Sequence, residues 1–471
     1  MNIKNIAAIA ASTIALTACS DFVDIKTQGG IVPDEVANFR YLLNNTSQWW
    51  GASALPDVMS DDIYVKDGGI QYARFNSEYY AWFSKAYVWS SEIYPESGYY
   101  NKDDGWNTMY NTSAYANTVI NEVDDCKDGT QEEKEELKAE AKVHRADAYL
   151  MLVNQYAKPY NESTASTDLG VPLILTQNTA QKVVRASVQK VYDQIIKDLT
   201  EAVPYLPETQ EFTTLPTKAS AYGELARAYL LMGKYEDADK YATLALEQNS
   251  TLNDMSKEEM NGVVSSSFYP LMIKDPEVLL LKKPMQSNSQ YSCTMLHLSN
   301  DLLQLLGEKD KRYQLFTAPV DQYATSFAAD GGRLYYQDIA MSYRNVGPSV
   351  PEMMLIKAEY YARNNQPTEA MQWVNKLRVK RFAAEDYTEE TATDADDALK
   401  KVIDERHREF FCRNLRWYDL RRLQNDPRFA KTITRQWGGE TYTLAPGSNR
   451  YVIQIPAYQR VLNPELEANP E

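Results

Sequence analysis

The sequence predicts a mainly α-helical protein: a scaffold of paired helices that carries a loop-rich, irregular lobe and a few short strands. Three observations predict it. Apolar residues recur at helical spacing through residues 132–157, 188–249 and 351–381. Between 44 and 116 the pattern is irregular and very aromatic. The stretch 251–348 is broken by Pro270, Pro276, Pro284, Pro319 and the Asp330-Gly331-Gly332 turn, and reads as an insertion carried by the helices. A chain of 471 residues with 44% hydrophobic and 24% charged positions has the composition of a soluble globular protein, with room for roughly two to four lobes. Charge runs against nucleic acid: 49 Lys and Arg face 65 Asp and Glu, a net of −16, and a phosphate-tracking groove needs a basic face.

The first segment is an address. Lys4 precedes an apolar run from Ile6 to Leu16, too short to span a bilayer. It ends Leu16-Thr17-Ala18-Cys19, which resembles the lipobox of bacterial lipoproteins, so residues 1–18 are expected to be removed and Cys19 acylated. The mature chain is therefore expected to be anchored by lipid on Cys19 rather than inserted in a membrane. Cys126, Cys293 and Cys412 are left widely spaced with no Cys-x-x-Cys, which suits small packing residues better than a disulfide framework, with a single bridge such as Cys126–Cys293 left open.

Residues 19–131 begin with a polar tether containing Gly29-Gly30, followed by a helix that carries Val36, Phe39, Leu42 and Leu43 on one stripe. Residues 132–250 hold the most regular pattern. A long helix over 132–157 opens on Glu132, Glu133 and Glu135, where acids suit the helix dipole. It stops near Pro159, and Val171–Leu175 reads as a short extended segment. Val188–Val203 is helical up to Pro204. Tyr222, Leu225, Ala226 and Tyr229 then line one helix, Gly233 turns it, and Tyr235, Ala238, Ala242 and Ala245 line the next. Small residues at a helix crossing with aromatic knobs beside them resemble a tetratricopeptide repeat, and Ala358, Tyr361 and Ala370 repeat the spacing. After the insertion at 251–348, residues 349–425 end in a helix expected to run unbroken from about 394 to 423. The tail, 426–471, offers strands at Tyr442–Leu444 and Tyr451–Ile455.

Together these residues resemble the SusD/RagB family of outer-membrane lipoproteins of the Bacteroidetes. The resemblance is carried by the lipobox at Cys19; Asp104-Gly105-Trp106 with Tyr110, Ala116-Asn117 and Ile120; and Arg145-Ala146 to Tyr156 followed by Val171-Pro172-Leu173. It continues through the helices at 188–249 and 351–381, then Glu405-Arg406-His407-Arg408-Glu409-Phe410 leading to Arg416-Trp417-Tyr418-Asp419-Leu420-Arg421-Arg422, and ends on Ile455-Pro456 and Asn463-Pro464-Glu465-Leu466. It covers essentially the whole chain; Phe411-Cys412-Arg413-Asn414 departs from the family's usual residues before the Trp. The resemblance implies a cell-surface lid over a SusC-like TonB-dependent transporter, capturing oligosaccharide or, in some branches, peptide. It also implies that the repeat-like helices face the transporter and that loops of the irregular lobe hold the ligand.

Within that lobe, the span from Tyr64 to Tyr115 contains ten Tyr, three Trp and two Phe. A sugar presents an apolar C–H face and a rim of hydroxyls, so flat rings beside amides and carboxylates are suitable receptors. Trp49, Trp50, Tyr72, Trp82 and Tyr291 lie in Asn/Gln/Ser-rich or turn-like surroundings and form the expected platform, with Asp61, Asp62 and Asn288 as partners for hydroxyls. Against this stands the ordinary role of large aromatics as core, which is the reading for Trp106 and Tyr110. The Arg-rich stretch around Trp417 is read as paired within its own helix and stacked on Trp, because Glu405, Glu409 and Asp419 are interleaved.

No catalytic reading is supported. His144, His297 and His407 belong to no metal motif, and no nucleophile elbow or phosphate loop occurs. The adjacent acids Asp61-Asp62, Asp103-Asp104, Asp124-Asp125 and Asp396-Asp397 do not by themselves set the carboxylate separation a glycosidase needs. No cofactor is expected; a structural calcium held by loop acids is left open, without EF-hand spacing. Oligosaccharide capture is therefore the expectation, with peptide capture, an extracellular glycosidase and a pure scaffold as its rivals.

Overall fold

The computed structural model describes residues 34–49, 51–98, 100–176, 181–257, 272–285, 293–322, 330–336 and 345–471. The lipobox and Cys19 lie outside them. Among the described residues the longer helices are α1 (Val36–Asn44), α2 (Asp104–Glu122), α3 (Gln131–Tyr156), α4 (Val188–Ala202), α5 (Lys218–Leu231), α6 (Tyr235–Gln248), α7 (Val350–Arg363), α8 (Pro367–Arg378), α9 (Ala395–Phe410) and α10 (Leu415–Leu423). None is long and apolar enough to cross a membrane.

The central element is α3. Thr130 and Glu133 close a capping box at its start, each side chain satisfying the other residue's backbone N–H. Every residue from Val143 to Tyr156 is buried, polar ones included, so each polar group needs a partner. Arg145 forks onto Asp198 of α4 at 2.8 and 2.7 Å and reaches Asn117 of α2 at 2.7 Å, which fixes three helices against one another. At the C-terminal end of α3, Arg185 donates to the Tyr156 carbonyl at 3.2 Å and Arg421 to that of Ala157, placing cations where the helix dipole is negative.

Helices α5 and α6 form the antiparallel pair that their alanines indicated. Ala226, Ala238, Ala242 and Ala245 are completely buried, and the rings of Tyr229 and Tyr241 stack at 5.5 Å. Gly233 takes φ +73° in the connecting turn, a conformation that glycine adopts without strain. Helices α7 and α8 repeat the arrangement, with Ala358 and Ala370 both fully buried.

Two expectations about the C-terminal third are corrected. The long final helix is broken: α9 ends at Phe410 and α10 starts at Leu415. Cys412 and Asn414 between them have φ of 53° and 65°, which cannot continue a right-handed helix. Nor do the arginines neutralise themselves chiefly within one helix. Arg406 pairs with Asp419 of α10, Arg422 with Glu359 of α7, Arg416 with Asp61, and Arg312 with Glu405 and Glu409. Only Arg408–Glu405 and Arg422–Asp419 are local pairs among these, and Trp417 stacks on Tyr451 at 5.3 Å rather than on an arginine.

Strands are short. β1 (Gly51–Ser53) pairs in parallel with β2 (Lys283–Met285), β3 (Thr317–Pro319) pairs antiparallel with β4 (Arg333–Tyr335), and β5 (Ile433–Trp437) forms a hairpin with β6 (Glu440–Leu444). β6 contains the expected strand at Tyr442–Leu444. Tyr451–Ile455 is not a strand and begins at the end of a short 3-10 turn, while the 171–175 segment belongs to no helix or strand. The first pairing ties the N-terminal lobe to the inserted segment, so those two regions are built as one.

Candidate functional site

The aromatic lobe is assembled from segments far apart in sequence. The Tyr64 backbone N–H donates to the His297 carbonyl at 2.8 Å, and His297 Nδ1 returns a bond to the Tyr64 carbonyl at 3.0 Å. Burial pushes the His297 imidazole below its usual pKa, so the ring is a neutral brace behind Tyr64, at 5.9 Å between centroids. A short helix, Ile70–Phe75, starts beside it. Its first N–H is taken by Asp330, 260 positions away, with Ile70 N to Oδ2 at 2.9 Å. Gly69 lets it approach: a Cβ there would lie 2.1 Å from that same carboxylate oxygen and force it to shift. Gln71 Nε2 donates to the Met295 carbonyl at 3.1 Å, and Asp67 accepts the N–H groups of Gly438 and Gly439 at 2.7 and 2.8 Å, clamping the β5–β6 turn.

On this frame Tyr64 is 47% exposed, Ile70 63% and Tyr79 36%, while Tyr72 is half-buried against Trp437 at 4.6 Å. Tyr79 meets Tyr80 and Tyr100 edge-on at 4.7 and 5.6 Å. Exposed rings held on charge-capped loops offer flat, pre-ordered surface with a hydroxyl at the edge. That arrangement can take a ligand with alternating apolar faces and hydroxyl rims at little entropic cost.

Of the residues singled out in the sequence, Tyr72 is partly open to solvent. Trp50, Asn288 and Tyr291 lie outside the described residues. Trp49 is only 1% exposed: its indole N–H donates to the Leu42 carbonyl at 3.0 Å and its ring stacks on His144 at 4.6 Å. Trp82 is also buried, edge-on to Phe83. Neither presents a platform to solvent, because both fill gaps between elements that the local sequence does not show. Asp61 is bound by Arg416 at 2.7 and 2.8 Å and by Lys431 at 3.0 Å. Burial alone would raise its pKa, but Arg416 outweighs that and holds the carboxyl well below the usual range. Asp62 is fully buried, accepting the Cys412 N–H at 2.7 Å with His407 Nε2 also at 2.7 Å. Both acids are spent on the fold rather than turned toward a ligand.

Asp61, Asp62 and His407 are close enough together to contact one cation. The Asp61 oxygens already face Arg416 and Lys431, and His407 offers nitrogen where calcium prefers oxygen, so this group does not fit the calcium left open by the sequence.

Sequence reasoning missed Tyr64 and Tyr79, since nothing local separates them from the buried Tyr87. It also missed a cleft of about 490 Å³ lined by Trp106, Asn107, Tyr110, Asn111, Gln459 and Asn463 among others. Trp106 is core, as expected, yet its edge and the half-buried Tyr110 also form part of this amide-rimmed wall.

Comparison with known proteins accords with the geometry. Residues 21–230 match a SusD-like family model described as starch-binding and associating with the outer membrane, and residues 350–471 match the model of the SusD family. A SusD-like protein of Formosa agariphila is 23% identical over 329 residues, which cover 59% of this chain and 64% of that protein, less than two thirds of its length. The fold matches a SusD superfamily protein from Bacteroides thetaiotaomicron with a TM-score of 0.71 at 19% identity, covering 93% of this chain and 100% of the other. It also matches a SusD-like carbohydrate binding protein from Bacteroides vulgatus, with a TM-score of 0.66 at 20% identity over 92% and 98% of the two chains.

Proposed function

Because this chain belongs to the SusD/RagB family, we propose that it captures oligosaccharide at the cell surface and passes it to a partner SusC-like TonB-dependent transporter in the outer membrane. The observation that carries the reading is that Tyr64 and Tyr79 are exposed and Tyr72 half-buried, in a segment tied down through Asp330, Asp67 and Gln71. Membership of a family described as starch-binding and outer-membrane-associated supports both the ligand class and the location. Acylation at Cys19 anchors the protein in this reading, and the paired helices α5–α8, arranged like tetratricopeptide repeats, are the surface offered to the transporter.

The mechanism is capture, closure over the barrel and release, with no covalent step. A ligand that must be handed on is held loosely, with dissociation constants of about 1 µM to 1 mM, or roughly −8 to −4 kcal/mol. A binding screen of the purified protein against plant, host and microbial glycans, run beside extended peptides, tests this. Glycan binding in that range is expected. Binding of peptides alone, or new reducing ends appearing on incubation with polysaccharide, overturns it.

A further inference from the structure

Eight arginines are buried in the described structure: Arg145, Arg227, Arg312, Arg378, Arg381, Arg406, Arg421 and Arg435. Six of them pair with a carboxylate: Arg145 with Asp198, Arg227 with Glu352, Arg312 with Asp310, Arg378 with Glu405, Arg381 with Glu409, and Arg406 with Asp419. Arg435 has none, but its guanidinium donates to the carbonyls of Val58, Tyr87 and Ser60 and lies over the rings of Tyr87 and Trp89 at 4.0 and 4.5 Å. Arg421 is different. It is 2% exposed, donates through Nη2 to the Ala157 carbonyl, and leaves Nε buried without an acceptor and, among the described residues, the whole group without a counter-ion. The negative end of α3 at Ala157 offsets only about half a charge, so a buried guanidinium in that condition stays costly.

Arg421 also lines a cavity of about 380 Å³ between the 158–168 turn, the end of α10 and the 447–452 turn. Lys158, Arg422 and Asp168 line it too, giving three cations and one carboxylate in a chain with a net charge of −16. Asp168 is already engaged by Lys158 at 2.8 Å and Thr164 at 2.6 Å, and Arg422 by Glu359 and Asp419. The charge left over in the cavity is that of Arg421. Around it stand neutral polar side chains, Asn161, Asn425 and Ser448, able to meet hydroxyls.

We propose that this cavity is an anion subsite in which Arg421 receives a carboxylate, and, resting on the glycan reading above, that the carboxylate is that of a uronic acid residue. A planar guanidinium matches a carboxylate in shape and charge, and the surrounding amides and hydroxyl suit the rest of a sugar ring. The cavity shares no lining residue with Tyr64, Tyr72 or Tyr79, and it selects among glycans by charge where the rings select by shape.

The test is titration of the purified protein with D-galacturonate, its methyl ester, and a tripeptide with a free C-terminus. Galacturonate is expected to bind at least about tenfold more tightly than the ester, with the gap narrowing as salt is raised. Arg421→Gln removes the gap. Should that variant fail to fold, Asn425→Glu decides: Asn425 is exposed, so the melting temperature stays the same while the new charge at the mouth weakens galacturonate several-fold. Equal binding of acid and ester, no binding of either at about 10 mM, or an unaltered Asn425→Glu variant overturns the subsite. A tripeptide that binds as well as galacturonate overturns the uronate assignment. Tyr64→Ala leaves the preference for acid over ester intact, so this inference and the capture reading can fail separately.

Discussion

The carboxylate of Asp62 accepts the backbone N–H of Cys412 at 2.7 Å, a bond spanning 350 positions. Asp57 does the same for Asn414 at 2.7 Å, and the Asn414 side chain donates to the Ser53 carbonyl at 3.0 Å. These bonds take up N–H groups that the break between α9 and α10 leaves without helical acceptors. They hold Cys412 and Asn414 in their left-handed conformations and pin the Arg-rich helices to the N-terminal lobe.

Asp62→Ala is therefore expected to destabilise the protein by about 2–4 kcal/mol, because it leaves a buried N–H and the His407 ring unpartnered. Denaturant unfolding checks this. A variant within about 0.5 kcal/mol of wild type would show that the break needs no such support.

Acid should unfold the protein through the α9 network. Burial would raise the pKa of Glu405, but Arg312, Arg378 and Arg408 outweigh it and hold the group down to about 2. Its folded pKa lies below its unfolded one, near 4.3, so its contribution to stability is present above that value and is lost as pH falls toward 2. Melting temperatures across pH 2–6 should fall steeply below about 4.5, and Glu405→Gln should flatten that limb while lowering stability at neutral pH. An identical acid limb in the variant would assign it to other carboxylates.

Gly69→Ala is expected to loosen the tyrosine face without unfolding the helical scaffold. The backbone φ of −80° is ordinary, so the cost is steric: the added Cβ lies 2.1 Å from Asp330 Oδ2 and 2.9 Å from its Cγ. About 1–3 kcal/mol of local strain should appear as faster amide exchange at Ile70 and its neighbours, with the cooperative melt little changed. Unchanged exchange at Ile70 would mean that Asp330 does not cap this helix in solution.

How much of this was legible in the sequence depends on the range of the forces involved. The helices containing Val188, Leu225 and Ala358 follow from local apolar spacing, and the structure returns them within a residue or two. β5 is also legible: Ile433, Arg435 and Trp437 alternate inward before Gly438-Gly439, a local hairpin signal. The break at 411–414 was not, since Phe-Cys-Arg-Asn contains no Gly or Pro and its partners Asp57 and Asp62 lie in another lobe. Within the candidate site, Tyr72 could be placed in the right lobe by composition. Which of its tyrosines face water is decided by packing against residues 293–299, 330–335 and 437, and no local pattern separates Tyr64 from Tyr87.

The central claim is that the exposed tyrosines form the ligand surface. Isothermal titration of a glycan that binds the wild-type protein, repeated on Tyr64→Ala and on Tyr64→Ala with Tyr79→Ala, tests it most directly. Both rings are exposed, so the variants should melt as wild type does, and affinity should fall by about tenfold or more as stacking surface is removed. Full affinity in the double variant would contradict the account and move the site elsewhere, with the cleft beside Trp106 and Tyr110 the next place to mutate.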